Sequence, residues 1–309
     1  MRYRKILFLI LTFFGFQTTG FCQVYSIPED TKRIVFLGNS ITYNGKFVSY
    51  IDAYLTLKYP EKNQEIINVG LPSETVSGLS EPGHANGEFP RPDLQERLHR
   101  VLERLEPDLV IANYGMNDGI YLPFDEGRFN AFKKGMDGLH QAVEHSGAKI
   151  IHVTPPVYDE RKGAAYANVL DIYSDWLVSC LYTKDWKVID LHWPMRKELE
   201  DRRSLNPEFA FAKDGIHPDE SGHFLMAKII LLGLGENVYE AKTIEDLLSP
   251  FNKGNQILAL IEQRQEIQKL AWLSETGHLR PGIPEGLSIR EAQEKVAEIN
   301  LEIRKLITP

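Results

Sequence analysis

Cysteine is almost missing from this chain. It holds two, Cys22 and Cys180. If a leader is cut after Cys22, one remains, so the fold cannot rest on an internal disulfide. Paired cysteines and a His-Glu-x-x-His pattern are absent, so no metal site is expected. A Walker-type glycine loop is absent too, which removes the usual nucleoside-triphosphate cradle. Positive charge is in deficit: 35 Lys and Arg face 43 Asp and Glu, for a formal net charge of -8. That balance argues against nucleic acid as a partner and gives no attraction to anionic membranes. Beyond residue 22 no stretch approaches the ~20 apolar residues of a membrane span, so the mature chain is expected to insert in no membrane. Internal repeats and low-complexity tracts are also missing.

What is present begins with an export signal in outline. Residues 1–5 are basic, residues 6–16 are almost wholly apolar, and Gly20 and Cys22 stand where a signal peptidase would read. Phe21, directly before Cys22, is bulky where lipid attachment wants a small residue. The expectation is therefore a periplasmic or secreted protein rather than a lipoprotein. Three parts follow: a signal peptide over 1–22, a main domain over 23–238 and an appendage over 239–309. The mature length can bury a sizeable core.

The main domain alternates short apolar runs with helical patterns. Residues 33–38, 65–70, 108–114, 149–154 and 186–191 read as strands. Helices are expected over 47–57, 94–105, 129–145, 164–181 and 219–232. This alternation argues a five-stranded parallel sheet with helices on both faces, a three-layer α/β/α domain. After residue 239 strand-like runs stop. Residues 255–272 and 288–307 read as two amphipathic helices joined by a Gly- and Pro-rich connector over 277–286, a C-terminal helical hairpin. Its apolar positions, Ile257, Leu260, Ile261, Ile267 and Leu270 against Val296, Ile299 and Ile303, must be buried. The hairpin is expected to dock on the main domain or to join two copies in a homodimer.

Four stretches carry chemistry. The first strand ends abruptly in Gly38-Asn39-Ser40, and ligands of open α/β sheets sit at the carboxyl ends of strands. Ser40 is a hydroxyl offered there, although a serine so placed commonly just caps the next helix. A serine becomes nucleophilic when a base takes its proton, and the base is usually a histidine oriented by a carboxylate. Of nine histidines, His217 stands out because Asp214 lies three residues before it in one short loop. A developing oxyanion also needs preset donors. The amide of Asn117 can donate where a carboxylate could not, and Gly70 lets backbone come close to a ligand.

Taken together, Gly38-Asn39-Ser40, Gly70, Gly115-Met116-Asn117-Asp118 and Asp214-Gly215-Ile216-His217 resemble the four ordered blocks of the SGNH hydrolases, also called the GDSL family. The resemblance covers roughly residues 32–234. It implies a flavodoxin-like sheet, no cofactor and no metal. It assigns Ser40 as nucleophile, His217 as general base and acid, and Asp214 as its orienting carboxylate. Ser40, Gly70 and Asn117 would form the oxyanion hole. One departure is visible: the acidic residue usual before the serine is Asn39 here.

The long loop over 71–92 and the other strand ends carry polar and aromatic side chains, including Tyr43, Asn44, Glu74, Tyr158 and Lys213. Substrate contacts are expected from His84, Arg91, Tyr114, Asp118 and Tyr121, and from Arg280 if the connector reaches the crevice. Such loops suit a sugar better than a lipid tail. The expected activity is removal of a small acyl group, acetyl above all, from an acylated carbohydrate. The resemblance also permits lipid, thioester and aryl-ester substrates. A non-catalytic glycan-binding protein on the same fold is the rival, and retention of every catalytic residue type argues against it.

Overall fold

The computed structural model describes residues 24–307, and the signal-peptide reading lies outside them. Five parallel strands form the sheet: β1 (Arg33–Gly38), β2 (Glu65–Asn68), β3 (Leu109–Asn113), β4 (Lys149–Val153) and β5 (Val188–Ile189). Their order is β2-β1-β3-β4-β5. Ile34, Val35, Phe36 and Leu37 are buried throughout, as the unbroken apolar run requires of a strand covered on both sides. The last strand is cut from the expected six residues to two, at the edge of the sheet.

The helices in chain order are α1 (Ser40–Asn44), α2 (Lys46–Lys58), α3 (Leu94–Leu105), α4 (Glu126–His145), α5 (Glu160–Thr183), α6 (His192–Leu205), α7 (Glu220–Gly233), α8 (Ile244–Leu248), α9 (Gly254–Thr276) and α10 (Ile289–Ile307). From β1 the chain crosses through α2 to β2 on one side, and from β2 it returns past β1 to β3. Right-handed crossovers therefore place α2 on one face of the sheet and α3, α4 and α5 on the other. The direction of winding reverses between β1 and β3. That gap is the switch point where ligands of doubly wound sheets bind, and Ser40 and Asn117 lie just beyond the two strands that border it.

The hairpin docks on its own domain, through a face that matches the expected one only in part. Ile257, Ile261 and Leu273 are buried, but so are Arg264, Gln265, Gln268 and Lys269. Arg264 Nη2 lies 2.7 Å from Asp52 Oδ1, and Gln265 Nε2 donates to Asp52 Oδ2 at 2.6 Å. Gln268 Nε2 donates to Glu65 Oε1 at 3.0 Å. Asp52 is a wholly buried carboxylate of α2, so these donors satisfy a charge that would otherwise be costly. Ile267 and Leu270, expected in the docking stripe, are only half-buried.

Two buried histidines tie stability to pH. His152 lies on β4, with Nε2 2.9 Å from His140 Nδ1 and its ring stacked on Trp186. Burial, with some repulsion from His140, pushes its pKa down to about 3. Burial likewise lowers His223, stacked on Phe47, to about 4. Above the ordinary value near 6.5 both rings are neutral whether the chain is folded or not. Below it the unfolded chain takes up protons that the folded chain refuses, so stability falls from about pH 6.5 towards pH 3–4, by roughly 1.4 kcal/mol per pH unit for each histidine. Thermal melts between pH 8 and pH 5 should show Tm dropping over the lower half of that range. The drop should be shallower in His152→Asn, and equal slopes would remove His152 from the account.

Candidate active site

Asn39 caps α1, its Oδ1 accepting from Ile41 N at 3.0 Å. An amide thus does at this place what an acid does, which makes the departure from the expected acidic residue a local one. The cap turns the chain sharply out of β1 and presents Ser40, partly exposed, at the mouth of the switch point.

Across the crevice, Asp214 organises its own loop. Its Oδ1 accepts from Ile216 N at 2.9 Å and His217 N at 2.8 Å, while Oδ2 lies 2.6 Å from His217 Nδ1. Gly215 holds φ +88°, a left-handed turn, and a Cβ there would come within 2.8 Å of Lys162. His217 Nε2 stands 2.8 Å from Ser40 Oγ. A carboxylate only accepts, so Nδ1–H donates to Asp214 and the neutral ring leaves Nε2 as acceptor for the serine proton. Burial alone would raise the Asp214 carboxyl, but the hydrogen bonds from His217 and Ile216 outweigh it and hold the group below the usual carboxylate range. It stays charged wherever the imidazole needs an anion beside it. The side chains of His217 and Asp214 are 49% and 52% exposed, so the crevice is open rather than enclosed.

Asn117 is buried and held from both ends. Its Oδ1 accepts from the Tyr121 hydroxyl at 2.9 Å, and Nδ2 donates to Glu74 O at 3.0 Å. This fixes which way the amide faces and leaves one N–H of Nδ2 for a ligand. Ser40 N–H belongs to the first turn of α1, where the helix supplies no internal acceptor. Gly70 departs from expectation. A Cβ on it would lie 2.4 Å from Tyr43 N, so only glycine lets β2's exit pack this closely on α1. Its N–H, however, already donates to Asn68 Oδ1 at 2.9 Å. Two donors, not three, stand unengaged at the crevice. An asparagine two residues before the glycine was the readable warning of such a local bond.

The expected substrate contacts divide. Tyr114 and Asp118 are fully buried, and the expectation is corrected for both. The Tyr114 hydroxyl donates to Glu74 Oε2 at 2.6 Å, and Glu74 in turn forms a buried two-pronged pair with Arg97. This network holds the backbone whose carbonyl receives Asn117. Asp118 accepts from Gly115 N, Val76 N and Ser77 N, tying the end of β3 to the long loop. Burial raises its pKa to about 6, against the pull of those amides. Arg91 is spent on Glu81, at 2.6 and 2.7 Å, and lies over the Tyr121 ring. His84 Nδ1 is 3.2 Å from Glu81 Oε1. Arg91 is therefore wall, His84 keeps Nε2 without a partner among the described residues, and Tyr121 is the positioner of Asn117. Arg280 sits over Phe89, with 4.3 Å between its guanidinium and the ring centre. Among the described residues no cluster of His, Cys, Asp and Glu could hold a metal ion.

Comparison with known proteins gives the same outline. The model of the "GDSL-like Lipase/Acylhydrolase family" matches residues 36–225. An acetylxylan esterase of Geobacillus stearothermophilus is 22% identical over 225 residues, which cover 66% of this chain and 94% of that protein. The structure of a catalytic mutant of an acetylxylan esterase from the same organism superposes with a TM-score of 0.54 at 21% identity, over 69% of this chain and 96% of that one. A gut microbial diltiazem-metabolizing enzyme also superposes with a TM-score of 0.54, at 20% identity, and there the match spans 69% of this chain but 49% of the other. The family match ends before α9 and α10 begin.

Proposed function

This chain belongs to the GDSL-like lipase/acylhydrolase family, and we propose that its crevice removes small acyl groups, acetyl above all, from a carbohydrate. The observation that carries the reading is the relay from Ser40 Oγ through His217 to Asp214, 2.8 and 2.6 Å long, open at the switch point of the sheet.

Ser40 Oγ attacks the acyl carbon while His217 Nε2 takes its proton. Asp214 stabilises the imidazolium that results. The carbonyl oxygen, now an oxyanion, receives Ser40 N–H and the free N–H of Asn117. As the tetrahedral species collapses, the C–O bond to the sugar breaks and His217 returns the proton to the departing alkoxide. Water then attacks the acyl-serine with His217 again as base, releasing the acid and restoring Ser40. The steps use the side chains of Ser40, His217, Asp214 and Asn117 with the backbone N–H of Ser40, and none calls for a cofactor.

The residues near the relay support the acyl preference. A long alkyl chain would need an apolar groove beside Ser40. The rings near the relay are instead Tyr121 and Tyr158, 6.2 Å apart, with Tyr158 against the Asp214-Gly215 turn. Exposed Lys213 precedes Asp214. The names of the acetylxylan esterases it resembles agree with a small acyl group on a sugar. A series of p-nitrophenyl esters tests this: acetate should be cleaved at least about tenfold faster, by kcat/KM, than octanoate. A preference for octanoate would move the protein to the lipase side of the family. Export of the mature chain to the periplasm or beyond is part of the same proposal, supported by the basic and then apolar run over residues 1–16.

A further inference from the structure

The C-terminal hairpin lies beyond the family match, yet it returns a loop to the wall of the crevice. Arg100 Nε donates to Thr276 O at 2.5 Å, fixing the end of α9 on α3. Gly286 N donates to Ser274 Oγ at 2.8 Å, and Gly286 packs directly against the backbone of Leu270. The connector between these anchors carries Arg280. On the near side, Lys269 donates to Tyr43 O at 3.0 Å and lies 4.3 Å from that ring's centre, so α9 also grips the helix that bears Ser40.

Arg280 differs from the other cations of this wall. Arg91 is paired with Glu81, Arg100 with Glu96 and Lys269 with Glu266. Among the described residues Arg280 forms no ion pair, and its side chain donates one hydrogen bond, to the neighbouring Pro281 carbonyl. Its Nε is buried without an acceptor. The guanidinium lies over the Phe89 ring, and the His84 ring meets the same phenyl group at 5.4 Å. His84 Nε2 is likewise buried without a partner. Burial works against the charge of Arg280, and nearby Tyr43 offsets that only in part. In a chain of net charge -8, a cation left uncompensated at a binding wall has its counter-charge still to come from outside.

We propose that Arg280, carried by the hairpin, is a specificity-determining residue that takes a carboxylate on the carbohydrate substrate, a uronic acid unit beside the one that bears the acyl group. The proposal rests on the esterase reading above. Phe89 supports the guanidinium, whose planar fork of donors matches a carboxylate. His84 Nε2, an acceptor when Nδ1–H faces Glu81, suits a hydroxyl of the same sugar.

The test compares the full-length protein with Arg280→Ala and Arg280→Lys on three substrates: O-acetylated polygalacturonate, O-acetylated xylan and p-nitrophenyl acetate. Arg280→Ala should raise KM for the acidic glycan about tenfold more than for the other two, the size of one charge-assisted hydrogen bond. Arg280→Lys should recover part of the loss, and added salt should imitate it in the unaltered protein. Equal changes on all three substrates, or none, overturn the proposal. A second arm is independent of turnover. Calorimetry on Ser40→Ala should show oligogalacturonate binding about tenfold more tightly than xylo-oligosaccharide, with the preference lost in Ser40→Ala/Arg280→Ala. If the unaltered protein cleaves the aryl ester but neither glycan, the carbohydrate reading fails. The binding arm then decides Arg280 alone, and no preference for the acidic sugar overturns it.

Discussion

Replacing Ser40 with alanine is expected to lower kcat for p-nitrophenyl acetate by about 10⁶-fold, to near background, because removing the nucleophile of a relay removes the whole relay. The fold should be untouched. Ser40 is only partly buried, and its hydroxyl makes one side-chain contact, with His217. Loss of that hydroxyl takes no support from β1 or from the cap of α1, which Asn39 supplies. Surface changes of this kind usually move stability by less than about 0.5 kcal/mol. Two measurements read the outcome: steady-state turnover beside a thermal melt, and labelling by an organophosphonate that reacts with activated serines. The unaltered protein should be labelled once and the variant not at all. Turnover within a few-fold of normal in a well-folded Ser40→Ala protein would end the assignment of Ser40 as nucleophile, and with it the esterase mechanism.

Asn117→Ala carries the second large effect. One N–H of its amide is held by Glu74 O, and its oxygen is held by Tyr121, so the remaining N–H faces one way without a search. A donor fixed in advance acts most strongly where charge appears, in the transition state, and loss of one such donor costs on the order of 10²–10³ in kcat. KM should change little. With Gly70 N–H engaged by Asn68, the site has only Ser40 N–H beside it, which places the expected loss at the upper end of that span. A change confined to KM would make Asn117 a substrate-positioning group instead. Tyr121 belongs to the same unit, because it holds the amide from its other end.

The sequence by itself determined the sheet and singled out Ser40, Asp214 and His217, which the fold brings together. The apolar run 34–37 stopped by Gly38-Asn39-Ser40 could only be a covered strand breaking at a turn, and it is β1 followed at once by the serine. The three-residue interval between Asp214 and His217 put carboxylate and imidazole in one turn, since so short a segment has few ways to fold. These signals are local: periodicity, turn chemistry and near spacing act within a few residues, and so they survive in a linear text. Only the tertiary structure decided what the polar loop residues do. Tyr114, Asp118 and Arg91 look in sequence like Tyr121 or Lys213. The partners that bury the first three lie up to 42 residues away, at Glu74, Val76 and Glu81. The same holds for α9, where an apolar stripe was legible but a docking face of Arg264, Gln265 and Gln268 was not, because their partners Asp52 and Glu65 stand about 200 residues earlier. Hydrophobic patterning reports that a face is covered. A polar side chain is stable in water or against a matched partner alike, so its place is set only when the chain has closed around it.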